Sequence, residues 1–105
     1  MGDNMILITG ANGQLGYDFQ RLFDSLEVKY IATDVVDFDI TNEKSIDDFF
    51  LKHNNISLII NCAAYNDVDK AESEPDFCML LNSRAPFNLA KKAKEIGATF
   101  VTYST

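Results

Sequence analysis

The chain has 105 residues, 47% of them apolar, and carries a formal net charge of −7 with a pI near 4.4. That length allows one domain at most, long enough to bury a core but small for a nucleotide-binding enzyme with its own substrate site. An acidic surface repels nucleic acid and anionic membranes, no apolar run approaches the ~18 residues of a membrane span, and no basic segment precedes an apolar one at the start, so a cytoplasmic protein is expected.

The first element is the apolar run Met5-Ile6-Leu7-Ile8, which shows no polar alternation and therefore reads as a strand covered on both faces, as in a parallel sheet. It breaks into Gly10, Gly13 and Gly16 and then into an amphipathic helix over residues 14–26, with Leu15, Phe19, Leu22, Phe23 and Leu26 on one face. Strand, glycine loop and helix in that order form a phosphate cradle. Gly10 makes the turn, Gly13 leaves room for a pyrophosphate, Gly16 lets helix and strand approach, and the free amides of the first helical turn face the anion.

Val28 to Thr33 reads as a second strand ending at Asp34, eighteen residues beyond Gly16. A carboxylate there can accept both hydroxyl hydrogen bonds of an adenosine ribose, although an acidic residue is also an ordinary occupant of a post-strand turn. Val35, Val36, Asp37 and Phe38 supply no cation for a 2′-phosphate, so the site is expected to prefer NADH to NADPH. A short third strand is expected to end at Asp39-Ile40, beside the adenine pocket of such a sheet. Thr41 or Asn42 then caps a helix through about Lys52 that buries Ile46, Phe49 and Phe50. His53, the single histidine, falls at the polar end of that helix and reads as a solvated C-terminal position.

Ile56 to Ala64 reads as a fourth strand whose tail, Cys62-Ala63-Ala64, turns to small residues and leaves room for a flat ligand. Cys62 and Cys78 lack metal-ligand spacing and fit small buried side chains in a reducing compartment, with neither a disulfide nor a metal expected. Ser73, Pro75 and Asp76 open a long helix with a stripe of Phe77, Leu81, Ala85, Leu89, Ala93 and Ile96, stopped by Gly97. Pro86 inside it releases the carbonyl of Asn82, which predicts a bend there, either a tolerated kink alone or one whose freed polar group faces the cofactor site and holds a water. Ala98 to Tyr103 is a fifth strand. Alternating strands and right-handed crossovers give a Rossmann-like, doubly wound α/β sheet of order 3-2-1-4-5, with a ligand across the carboxyl ends of strands one and four.

The segments Gly10-Ala-Asn-Gly13-Gln14-Leu15-Gly16, Asp39-Ile40-Thr41, Asn61-Cys-Ala-Ala64, Val68-Asp-Lys-Ala-Glu-Ser-Glu-Pro75 and Tyr103-Ser104-Thr105 together resemble the dTDP-4-dehydrorhamnose reductase family of extended short-chain dehydrogenase/reductases. The resemblance implies reduction of a dTDP-4-ketosugar with NADH or NADPH during polysaccharide precursor synthesis. It implies pyrophosphate contacts from Gly13, Gln14 and Leu15, and ribose contacts from Asp34. Adenine contacts fall to Asp39 and Ile40, and the rest of the cofactor path to Ala63, Ala64, Tyr65 and Tyr103. Thr105 becomes the catalytic hydroxyl of the Ser/Thr-Tyr-Lys set.

Two departures stand out. Tyr65-Asn66-Asp67 replaces the family's frequent His-Thr-Ala. The Tyr-x-x-x-Lys pair is missing, since Arg21, Asp34 and Asp69 stand four residues after Tyr17, Tyr30 and Tyr65. The chain is therefore expected to be the amino-terminal cofactor-binding part of a longer reductase and inactive by itself. An apolar edge after the last strand predicts self-association, in its simplest form a homodimer. Two other relationships fit the same residues: a non-catalytic reductase-like subunit, such as the β subunit of methionine adenosyltransferase, and a nucleotide-sugar epimerase or dehydratase.

Overall fold

Strand β1 (Met5–Thr9) lies inside a wholly parallel four-stranded sheet of order β2-β1-β3-β4, formed with β2 (Tyr30–Thr33), β3 (Ile56–Asn61) and β4 (Thr99–Thr102). Three helices connect them: α1 (Gln14–Ser25), α2 (Glu43–Lys52) and α3 (Pro75–Ile96). The structure, a computed structural model, describes residues 4–34, 37–62 and 75–103, and of residues 75–83 the backbone alone.

Register divides the sheet into two unequal faces. Ile31, Leu7, Ile59 and Phe100 are cross-strand neighbours, and α2 and α3 pack on that side to give a core of Leu7, Ile46, Phe50, Ile59, Leu89 and Ala93 among others. Tyr30 and Tyr103 point to the other side, where their rings meet Phe23 and Phe19 of α1. The arrangement follows from handedness. The chain leaves β1 toward β2 and later crosses back over β1 to β3, so right-handed connections put α1 on one face and α2 and α3 on the other.

The expected order survives for four strands, but the strand expected before Asp39-Ile40 does not form among the described residues. Its polar groups are used locally. The Asp39 carboxylate accepts from the Thr41 amide and hydroxyl, the Asp39 amide donates to Ser45 Oγ, and the Asn42 amide donates to the Asp39 carbonyl. Phe38 and Ile40 both enter the core, with Asp39 exposed between them. Asn42 then caps α2 by accepting from the amides of Lys44 and Ser45, and Lys91 and Lys92 of α3 pair with Glu43 and Asp47 of α2.

The expected apolar stripe of α1 is only partly covered. Leu15, Leu22 and Leu26 are 36%, 48% and 60% exposed, because α1 is the only described helix on its side of the sheet. His53 is the C-cap of α2 as expected, yet it is half-buried, its ring 4.4 Å from that of Phe49. The helix α3 runs unbroken through Pro86, with Ala85, Leu89 and Ala93 buried and Ile96 exposed. Phe77, Leu81 and the Asn82 side chain lie outside the described residues, as do the Ser73 and Asp76 contributions to the helix start.

Helix α1 ends in a Schellman turn: the Val28 amide donates to the Phe23 carbonyl and the Glu27 amide to Asp24, with Glu27 left-handed at φ 58°. A side chain with a Cβ is strained there, and the long carboxylate has no hydrogen-bond or ion-pair partner among the described residues to offset it. Replacing Glu27 by glycine is expected to raise stability by about 0.5–1 kcal/mol in chemical denaturation, relief of the left-handed strain exceeding the extra freedom of an unfolded glycine.

Candidate functional site

The glycine loop closes on itself through its backbone. Gly10 turns off β1 with φ 71°, the Gly13 amide donates to the Gly10 carbonyl, and the Ala11 amide donates to the Thr33 carbonyl of β2. Gly13 is the N-cap of α1 at φ −83°, ψ 172°, with no side-chain cap and no acidic residue in the first turn. The amides of Gln14, Leu15 and Gly16 consequently have no hydrogen-bond partner among the described residues, and the positive end of the helix stands open to an anion.

The glycines have different reasons to be there. A Cβ on Gly16 would lie 2.6 Å from the Ala11 Cα and 2.7 Å from the Gly10 carbonyl oxygen, both backbone atoms that cannot yield. A Cβ on Gly13 would meet only the Gly10 oxygen, at an ordinary 3.6 Å. Gly16 is thus required by the fold itself. At Gly13 the protein leaves space it does not need for its own packing, and that space opens onto the free amides.

Asp34 follows β2 directly and faces the loop: its Oδ2 accepts from Asn12 Nδ2 at 2.6 Å. Its amide donates to the Asp37 carboxylate at 2.7 Å, and the Asp37 amide donates to the Asp34 carbonyl. The predicted ribose residue and the predicted pyrophosphate loop are therefore joined. Asp39 is exposed but engaged with Thr41, while Ile40 is 3% exposed, its side chain in the core and its carbonyl accepting from Asn88 Nδ2. Only the backbone at Ile40 remains for an adenine contact. Tyr103 lies at the end of β4 with its amide on the Asn61 carbonyl and its ring 5.8 Å from Phe19. Ala63, Ala64, Tyr65, the Asn82 side chain and Thr105 lie outside the described residues.

A polar row along the carboxyl ends of the strands went unread in the sequence. Thr9, Asn61 and Thr102 are register neighbours, with the Thr9 hydroxyl donating to Asn61 Oδ1 at 2.6 Å and Asn61 Nδ2 donating to Thr102 Oγ1 at 3.0 Å. Thr33 extends the row on β2, its hydroxyl on the Ile8 carbonyl. Thr9 and Asn61 are each 2% exposed, so their bond is shielded from solvent, while Thr102 at the end of the row is exposed; the row ties together the strand ends on which the site stands. Its signal was the polar residue closing each apolar strand, Met5-Ile-Leu-Ile-Thr9 and Ile56-Ser-Leu-Ile-Ile-Asn61.

A parallel sheet whose strand order reverses between β1 and β3, a glycine-lined helix entrance and an acidic residue after β2 define a Rossmann-like, doubly wound α/β domain. The chain belongs to the family described as RmlD substrate binding domain, whose profile matches residues 4–105. A dTDP-4-dehydrorhamnose reductase of Escherichia coli is 41% identical over 104 residues, which cover 95% of this chain and 34% of that protein. The crystal structure of a Clostridium acetobutylicum dTDP-4-dehydrorhamnose reductase superposes with TM-score 0.80 at 44% identity, over 91% of this chain and 34% of that one. The Bacillus anthracis enzyme, crystallised with NADP, gives TM-score 0.78 at 33% identity over 95% of this chain and 35% of its own. The chain thus spans about a third of the relatives it matches.

The two loop glycines should separate in denaturation experiments. Gly16→Ala is expected to cost about 3 kcal/mol, while Gly13→Ala changes stability by less than about 1 kcal/mol. Cys62, half-buried where β3 ends, has its thiol pushed by burial from 9.0 up to about 11. Because the folded state holds the proton more tightly, this residue's contribution to stability falls as pH rises from 9 toward 11. At neutral pH the thiolate is scarce, and site-resolved mass spectrometry should find Cys62 alkylated by iodoacetamide roughly a hundredfold more slowly than an unhindered thiol.

Proposed function

We propose that this chain is the dinucleotide-binding part of a reductase of the dTDP-4-dehydrorhamnose reductase kind, acting on a nucleotide-sugar ketone, and that its site favours NADH. The observation that carries the proposal is the unsatisfied amide cluster over the spare volume at Gly13, with Asp34 beside it. The amides of Gln14, Leu15 and Gly16 bind the pyrophosphate, and the lack of a Cβ at Gly13 lets the phosphates come close. Asp34 accepts from the ribose hydroxyls and holds the nucleotide's orientation. Reduced nicotinamide supplies the hydride when bound.

Proton delivery to the new alkoxide belongs to a Tyr-x-x-x-Lys pair that these 105 residues do not contain, so the chain alone binds without turning over. Thr105, by family resemblance, is the hydroxyl that orients that tyrosine, and Asp39, Ile40, Ala63, Ala64, Tyr65, Asn82 and Tyr103 complete the cofactor path. Kinship with the Escherichia coli enzyme and with the NADP-bound Bacillus anthracis structure supports the reductase class. The NADH preference rests on Asp34, since a 2′-phosphate brought against this carboxylate meets like charge.

Calorimetric titration of the 105-residue chain tests both levels. NADH is expected to bind at least about tenfold more tightly than NADPH, with Gly13→Ala weakening both by about tenfold. Tighter binding of NADPH would overturn the role given to Asp34, and binding of neither would overturn the dinucleotide assignment.

A further inference from the structure

We propose that Asn12 is the positioning residue for Asp34: it lies within the loop that receives the phosphates and aims the carboxylate that receives the ribose. The proposal rests on the dinucleotide function given above and assigns how that site chooses between a free and a phosphorylated 2′ position.

Asp34 is gripped from two directions. Its main chain is closed into a turn by Asp37, through the amide-to-carboxylate contact at 2.7 Å and the return bond from the Asp37 amide to the Asp34 carbonyl. Its side chain is held from the other side by Asn12 Nδ2 at 2.6 Å from Oδ2. Asn12 contributes a neutral donor, so it orients the carboxylate without cancelling its charge.

The other oxygen, Oδ1, has no hydrogen-bond partner among the described residues and remains as the acceptor for a hydroxyl. A carboxylate tethered this way is biased against swinging aside from a 2′-phosphate. Discrimination therefore depends on Asn12 as well as on Asp34, although Asn12 need not touch the ribose. Because Asn12 stands between Gly10 and Gly13, any shift of the loop on binding phosphate is passed to the ribose acceptor through one side-chain bond. The loop and the end of β2 are also joined in the main chain by the Ala11 amide on the Thr33 carbonyl at 2.9 Å, which keeps the reach from Asn12 to Asp34 constant.

A double-mutant cycle on the 105-residue chain tests this, with calorimetric titration of NADH and NADPH against the parent chain, Asn12→Ala, Asp34→Ala and the double variant. Asn12→Ala is expected to weaken NADH about fivefold and to narrow the NADH-to-NADPH preference by a similar factor, with no further effect in the Asp34→Ala background. Asn12→Leu keeps the volume and removes the donor without adding charge, so it should narrow the preference by a similar factor. It also serves as the readout if the alanine variant fails to fold. Equal weakening of both nucleotides by Asn12→Ala, or the same loss whether or not Asp34 is present, would overturn the positioning role and leave nucleotide binding intact. A parent chain that binds neither nucleotide would instead remove the function on which the proposal stands.

Discussion

The site depends on how closely α1 approaches the loop leaving β1. Gly16 sits where any Cβ would run into the Ala11 Cα and the Gly10 carbonyl. That backbone-to-backbone packing sets the direction of α1, and the direction of α1 aims its first-turn amides. The left-handed Gly10 and the Ala11 bond to β2 hold the other side of the same turn. An anion site made of main-chain groups cannot be tuned by rotamers, so its geometry is only as good as the helix placement behind it. One hydrogen atom at position 16 therefore carries the site.

Below the loop, the sheet supplies a rigid platform in an unusual material. The inner strands are apolar through most of their length, but they end in Thr9 and Asn61, which bond to each other in nearly complete burial and onward to the exposed Thr102. Such buried groups cost free energy unless their partners are met, and here the register that pairs Leu7 with Ile59 also brings the polar ends together. A one-residue slip would break both at once, so the row reinforces the alignment of the strand ends.

Much of this was legible in the residues. The uninterrupted Ile6-Leu7-Ile8 run and the glycine spacing predicted strand, turn and helix because each is dictated by local sterics, and Asp34 stands after β2 as its distance along the chain implied. The Asn42 cap and the glycine stop at 97 were equally local. What failed needed a competitor to be weighed. The strand expected before Ile40 lost to a web of Asp39, Thr41, Asn42 and Ser45 hydrogen bonds, each individually too weak to be read as a structure-maker. His53 was read as solvated because its neighbours in sequence are polar, whereas its neighbour in space is the ring of Phe49.

The sequence by itself determined the kind of domain, the place of the glycine turn before α1 and the negative charge after β2, since glycine, apolar periodicity and an acidic residue at a strand end act through the chain within a few residues. Only the tertiary structure decided that Asn12 meets Asp34, that Thr9 meets Asn61, and that Gly13 is spare where Gly16 is not. Those facts depend on residues brought together from separate strands and turns, and such meetings are set by the crossovers and register of the whole sheet.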